Sequence, residues 1–104
     1  MASFTLVLLR RPENAPEFTE EELDRIQAGH LAYLDRHRAD GSIAAAGPFL
    51  DQRDERLRGI ELWHLGVGEV RRICQEDPAV KAGRLEKEVV TWWFRETDLP
   101  IVPR

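Results

Sequence analysis

The sequence predicts an α+β fold: one four-stranded antiparallel sheet with two helices on one face, in the chain order β-α-β-β-α-β. Three observations carry that expectation. Short runs of β-forming residues alternate with segments of helical periodicity. The longer helical segment opens with a complete set of start signals. The first and last strand candidates are apolar on both sides, as strands packed within a sheet are.

Phe4 to Leu9 (FTLVLL) reads as a buried first strand, closed by Arg10, Arg11 and Pro12. A polar stretch leads to Thr19, which can cap a helix, with Glu22 placed to return the capping-box bond and Phe18 placed to staple onto Leu23. That helix runs to about Ala39, and Gly41 is its stop signal. Ser42 to Phe49 is a strand of small residues ended by Gly47-Pro48. After a charged loop, Leu57 to Leu65 forms its hairpin partner, with Ile60, Leu62 and His64 on one face and Glu61, Trp63 and Leu65 on the other. Val67 to Glu76 is a second helix that turns Val70, Ile73 and Cys74 inward. Asp77 to Gly83 is one helical turn, with Asp77 as cap, Pro78 at its first position and Gly83 at its exit. Leu85 to Arg95 is the last strand, and residues 97–104, with Pro100 and Pro103, form a tail. This is the ferredoxin-like split βαβ order, in one domain spanning residues 1–104.

Two helices cover one face of such a sheet. The other, bearing several of Phe4, Leu6, Leu8, Trp92, Trp93 and Phe94, is then an apolar patch of the kind that marks an interface, and a homodimer through the open face is expected. A net charge of -4 with both signs interspersed offers no basic stripe, so nucleic acid is not an expected partner. The apolar run Phe4–Leu9 is too short to span a membrane and lacks the flanks of a signal peptide, so no membrane partner is expected and the cytosol is the expected compartment. The single Cys74 forms no internal disulfide and, facing inward, is expected to be inert.

His30 is the residue that the pattern does not absorb. It falls on the apolar stripe of Leu23, Ile26, Tyr33 and Leu34, so its ring points at the core and needs a partner there: a carboxylate, a carbonyl or a substrate. His37 lies two turns on, about 10 Å away by helical rise, too far to share a metal ion with it, and no metal site is expected. His64 is expected on the helix-covered or the dimer face. Tyr33 and Trp63 are placed to line a pocket or to fill the core, and Gly47-Pro48 either brings backbone close to a ligand or simply ends the strand. No phosphate loop, dinucleotide fingerprint or serine elbow is present.

The runs His30-Leu31-Ala32-Tyr33-Leu34, Asp40-Gly41-Ser42-Ile43, Ala46-Gly47-Pro48-Phe49 and Glu76-Asp77-Pro78-Ala79-Val80-Lys81-Ala82-Gly83, followed by Glu88-Val89, resemble the YciI-related (YCII) family, over roughly Phe4 to Phe94. The resemblance implies a dimeric α+β barrel and a His–Asp pair that maps onto His30 and Asp77. Few members have an assigned reaction; a chloroaromatic dehydrochlorinase is among them, and muconolactone isomerases share the wider fold. Many members carry an arginine three residues before the histidine, where this chain has Gln27, and Arg10 is a candidate to take over the holding of an anionic substrate.

A carboxylate accepting from one imidazole nitrogen fixes the tautomer and leaves the other as a general base. One reading is therefore a cofactor-independent lyase or isomerase, with His30 as acid/base, Asp77 as its orienter, and Arg10, Tyr33, Gly47 and Pro48 as substrate contacts. The alternative is a non-catalytic small-molecule-binding or regulatory module in which Asp77 is a helix cap and the pair is structural.

Overall fold

Thr19 starts the long helix as its side chain allows: its hydroxyl accepts from the Glu22 amide at 3.1 Å, and the Glu22 carboxylate accepts from the Thr19 amide at 2.9 Å. The computed structural model describes residues 1–99, so most of the expected tail, with Pro100 and Pro103, lies outside the described residues. Its elements are β1 (Ala2–Arg10), α1 (Glu20–Ala39), β2 (Ile43–Pro48), β3 (Leu57–Trp63), α2 (Val67–Cys74), α3 (Pro78–Lys81) and β4 (Glu86–Phe94), followed by a short 3-10 turn at Glu96–Asp98. The strands form one antiparallel sheet in the order β2-β3-β1-β4, the ferredoxin-like arrangement. Helix α2 stops at Cys74, short of the expected Glu76, because the chain must reset for the Asp77 cap and Pro78, which has no amide hydrogen to offer a continuing helix.

Register decides what each strand presents. On the face under the helices, Val7 pairs with Glu61 on one side and Val89 on the other, and Leu9 pairs with Gly59 and Lys87. Val7, Leu9, Trp63 and Val89 meet Tyr33 and Leu34 of α1 and Val70, Ile73 and Cys74 of α2 in one buried core. The same rows therefore bring two charged side chains, Glu61 and Lys87, under the helices from opposite sides of β1.

The other face carries Phe4, Leu6 and Leu8 with Ile60, Leu62, Val90, Trp92 and Phe94. Phe4 and Phe94 stack at 5.5 Å between ring centroids, with Trp92 against Phe94 and His64 against Phe4. Trp93 is a correction to the expected patch: opposite Ser3 it lies in the row of the helix-covered face, and it is 70% exposed because β4 runs past the helices there.

Gly59 holds the sheet edge together at close range. A side chain there would come within 2.6 Å of the Gly47 carbonyl oxygen, so only glycine lets β3 lie this close to the end of β2.

Candidate active site

His30 reaches the core from the middle of α1, and the Asp77 turn comes to it because Gly29 has no side chain. A Cβ on Gly29 would meet the Pro78 ring at 3.0 Å, so the bare backbone of α1 lets α3 seat against it. The result is a contact of 2.7 Å between His30 Nδ1 and Asp77 Oδ2, with Asp77 fully buried. The two oxygens of Asp77 divide the work. Oδ1 accepts from the Ala79 amide at 2.9 Å and caps α3, while Oδ2 faces the imidazole.

Asp77 is not the end of the row. Lys87 Nζ lies 2.8 Å from Asp77 Oδ2 and 2.8 Å from Glu61 Oε2, and Glu61 Oε1 accepts from the Trp63 indole at 3.0 Å. The lysine stem is sealed in, with its ammonium 4.6 Å from the centre of the Tyr33 ring. Burial by itself would raise the Asp77 carboxyl, but the hydrogen bond from His30 and the charge of Lys87 outweigh it and hold the group below the usual carboxylate range. For Lys87, burial works downward, and the charges of Glu61 and then Asp77 overcome it, so the ammonium is held above its ordinary range. Because Asp77 is ionised, it accepts from His30. The proton therefore sits on Nδ1, and Nε2 is left as the basic nitrogen, with no hydrogen bond among the described residues.

The ring opens on a cavity of about 510 Å³ between α1 and the β2–β3–β1 side of the sheet. That is ample for a small metabolite. Its floor includes Leu9 and Glu61, Gly47 and Pro48 lie at its edge, and Gln27 and four arginines, Arg11, Arg38, Arg58 and Arg84, are on its walls.

Of the residues singled out in the sequence, His30, Asp77, Gly47 and Pro48 come together at or just behind this cavity. Two do not. Arg10 pairs with Glu88 at 2.7 Å on the open face of the sheet and does not line the cavity, because successive residues of β1 alternate faces and Leu9 is the one turned inward. Tyr33 is 1% exposed and stands in the core behind His30, its hydroxyl directed at the Ile73 carbonyl at 3.4 Å, so it supports Lys87 rather than the cavity wall. Trp63 is likewise core, and His64 is exposed beside Phe4 on the open face. His37 is buried against Tyr33 and Trp63 and is not a lining residue of the cavity.

Sequence reasoning missed Lys87, Glu61 and the arginine walls. The alternation of β3 already grouped Glu61 with Trp63 on one face. A carboxylate in the row of a tryptophan was the signal that a buried cation had to answer it.

Cys74 is buried on α2, and burial pushes its thiol up to about 11, against an opposing pull from Lys87. Alkylation of the native protein by iodoacetamide at neutral pH is expected to run at least about a hundredfold slower than for the unfolded chain. A mass-spectrometric time course checks this, and equal rates would contradict it.

A model of the YCII-related domain family matches residues 4–93. No curated protein matches the chain in sequence. Among solved structures, the chain is similar to 5-chloro-2-hydroxyhydroquinone dehydrochlorinase from Burkholderia phenoliruptrix AC1100 in complex with 2,5-dihydroxybenzoquinone, with a TM-score of 0.61 and 19% identity over 88% of this chain and 93% of that one. At this identity the likeness is one of fold. No helix among the described residues is long and apolar enough to cross a membrane.

Proposed function

The chain belongs to the YCII-related domain family, and we propose that it is a small acid/base enzyme of lyase or isomerase type, acting on a small anionic molecule through His30 and Asp77. One observation carries this reading: an imidazole whose Nδ1 is fixed by a buried carboxylate at 2.7 Å, on the wall of a cavity large enough for a substrate. The buried row adds a reason why the base works. Asp77 and Glu61 are two carboxylates facing the one ammonium of Lys87, which leaves one negative charge unanswered while His30 is neutral. A proton taken up at Nε2 balances the row, so the imidazolium formed in the reaction is stabilised where it arises.

In the step proposed, Nε2 takes a proton from a carbon beside a carbonyl or from an enolic hydroxyl conjugated to a saturated carbon that bears the leaving group, and the released electron pair forms the new double bond. For a lyase that pair expels a leaving anion; for an isomerase the proton returns from His30 at another carbon. The similar dehydrochlorinase is named for an elimination, a reaction within this class.

Incubation in deuterium oxide with a panel of halogenated hydroquinones and enolisable carboxylates tests the proposal, with chloride release and deuterium incorporation as readouts. Activity on at least one member is expected, reduced about 10²–10⁴-fold in a folded His30→Gln variant. A His30→Gln protein at the full rate, or no reaction above buffer with any member, would overturn it.

The apolar open face supports a second element of the proposal, a homodimer closed through that face into a dimeric α+β barrel. Val90 and Trp92 remain 38% and 36% exposed there beside Leu6, Leu8, Ile60 and Leu62. Light scattering at micromolar concentration is expected to give twice the chain mass of 12.0 kDa, and a stable monomer would rule it out. The free Cys74 thiol fits work in the reducing cytosol.

A further inference from the structure

The end of the cavity nearest the close of β1 holds more positive charge than the fold uses. Five arginines gather where the end of β1 meets the approaches to β3 and β4: Arg10, Arg11, Arg56, Arg58 and Arg84. Arg10 is answered by Glu88 at 2.7 Å and Arg56 by Glu86 at 3.6 Å, and neither lines the cavity. Arg11, Arg58 and Arg84 do line it, and no carboxylate among the described residues lies within 4.0 Å of any of them, although Arg58 gives one donor to the Glu55 carbonyl at 2.9 Å. The fourth arginine of the walls, Arg38, is engaged by Asp35 and the Ala46 carbonyl. Of the cavity's own carboxylates, Glu61 is held by Lys87 and Trp63, and Asp24 sits on the exposed flank of α1.

Keeping three guanidinium groups together without counter-charge works against stability. Burial, and then the charges of Arg84 and Arg58, hold the Arg11 guanidinium below its usual range, so the three are near enough to repel one another. Arg11 Nε is sealed from solvent with no hydrogen-bond partner, a further cost. The backbone arranges this placement. Leu9 pairs with Gly59 and Arg10 with Leu57, which leaves Arg58 as the extra residue of a β-bulge, a device that re-aims a side chain.

We propose that Arg11, Arg58 and Arg84 form an oxyanion-binding subsite, and that the molecule handled at His30 carries a compact carboxylate or phosphate group that docks there while its reacting carbon faces the imidazole. Arginine forks match both groups in bidentate geometry. The inference rests on the acid/base reading of the site and adds its substrate class, a small organic acid or phosphate monoester.

The test is an NMR titration of the isotope-labelled chain with inorganic phosphate and, separately, with benzoate, following the arginine side chains and the His30 ring. Saturable binding of at least one probe is expected, weakened about tenfold or more by Arg11→Gln and by Arg84→Gln and unchanged by Arg25→Gln on the outer face of α1. Binding of phosphate alone assigns a phosphate monoester, and binding of benzoate alone a carboxylate. The Arg11 and Arg84 variants should melt no lower than the wild type, since each removes a repelled charge. No saturable binding of either probe, or equal weakening by Arg25→Gln, overturns the subsite. Neither probe offers His30 a carbon acid or a leaving group, so the two proposals fail separately. Anion binding with no turnover in deuterium oxide sinks the acid/base reading, and turnover without anion binding sinks this one.

Discussion

Replacing Lys87 with methionine is expected to destabilise the fold by about 3–5 kcal/mol, the usual cost of removing one partner from a buried charge pair. The substitution leaves Asp77 and Glu61, both fully buried, without the cation they share at 2.8 Å. A domain of this size has roughly 5–15 kcal/mol in all, so the loss moves the melting temperature by more than roughly 10 °C. Adding Glu61→Gln should recover part of it, because the second change removes a carboxylate that Lys87→Met strands. The pH dependence identifies the cause. Lys87 is held above its ordinary range, so its contribution is complete below about pH 10.4 and is lost as pH rises through the raised value. The gap between wild type and variant should therefore be wide at neutral pH and close at strongly alkaline pH. Asp77 is shifted the other way; its contribution is complete above about pH 3.9 and disappears as acid carries it through its lowered value. Denaturant melts across the pH range measure both edges. A Lys87→Met protein as stable as the wild type would show that the row is not a source of stability.

Asp77→Asn is expected to lower kcat about 10³–10⁴-fold while leaving the fold in place. Asparagine caps a helix about as well as aspartate, so its carbonyl oxygen can keep the Ala79 amide at the start of α3. The amide nitrogen then faces His30 Nδ1 and donates where the carboxylate accepted. That drives the imidazole proton to Nε2 and removes the base from the cavity side. Nitrogen-15 chemical shifts of the His30 ring report the tautomer directly, and circular dichroism reports α3 and the rest of the fold. A variant that keeps both its tautomer and its kcat would reduce Asp77 to a helix cap.

The fold was legible because every signal that defines it is local or periodic. Thr19 and Glu22 lie three residues apart, the stripe through His30 and Leu34 repeats with the helix, and Asp77-Pro78 marks α3 by residue type alone. His30 was legible for a related reason: it broke a periodicity. Lys87 broke nothing visible, because a charged residue in an alternating strand looks like its solvent face until the register shows which face is covered, and Glu61 showed only its place in the row of Trp63. They are 26 residues apart and meet across an intervening strand. Arg10 and Arg11 show the limit in its sharpest form. Adjacent arginines at the end of one strand differ only in parity, and parity sends one to Glu88 and the other to the cavity.

The divided carboxylate of Asp77 bears on how this site would decay under drift. An aspartate that starts a helix is retained for folding even in a lineage that has abandoned the chemistry, so its presence in a sequence says little about activity. His30 has a smaller second employment, since its one hydrogen bond among the described residues helps keep the buried Asp77 ionised, a duty that Lys87 shares at the same oxygen. Once selection on turnover lapses, the histidine is free to revert to the leucine or isoleucine that its stripe invites. Under the acid/base function proposed above, the imidazole, not the carboxylate, is the marker of a working site in descendants of this sequence.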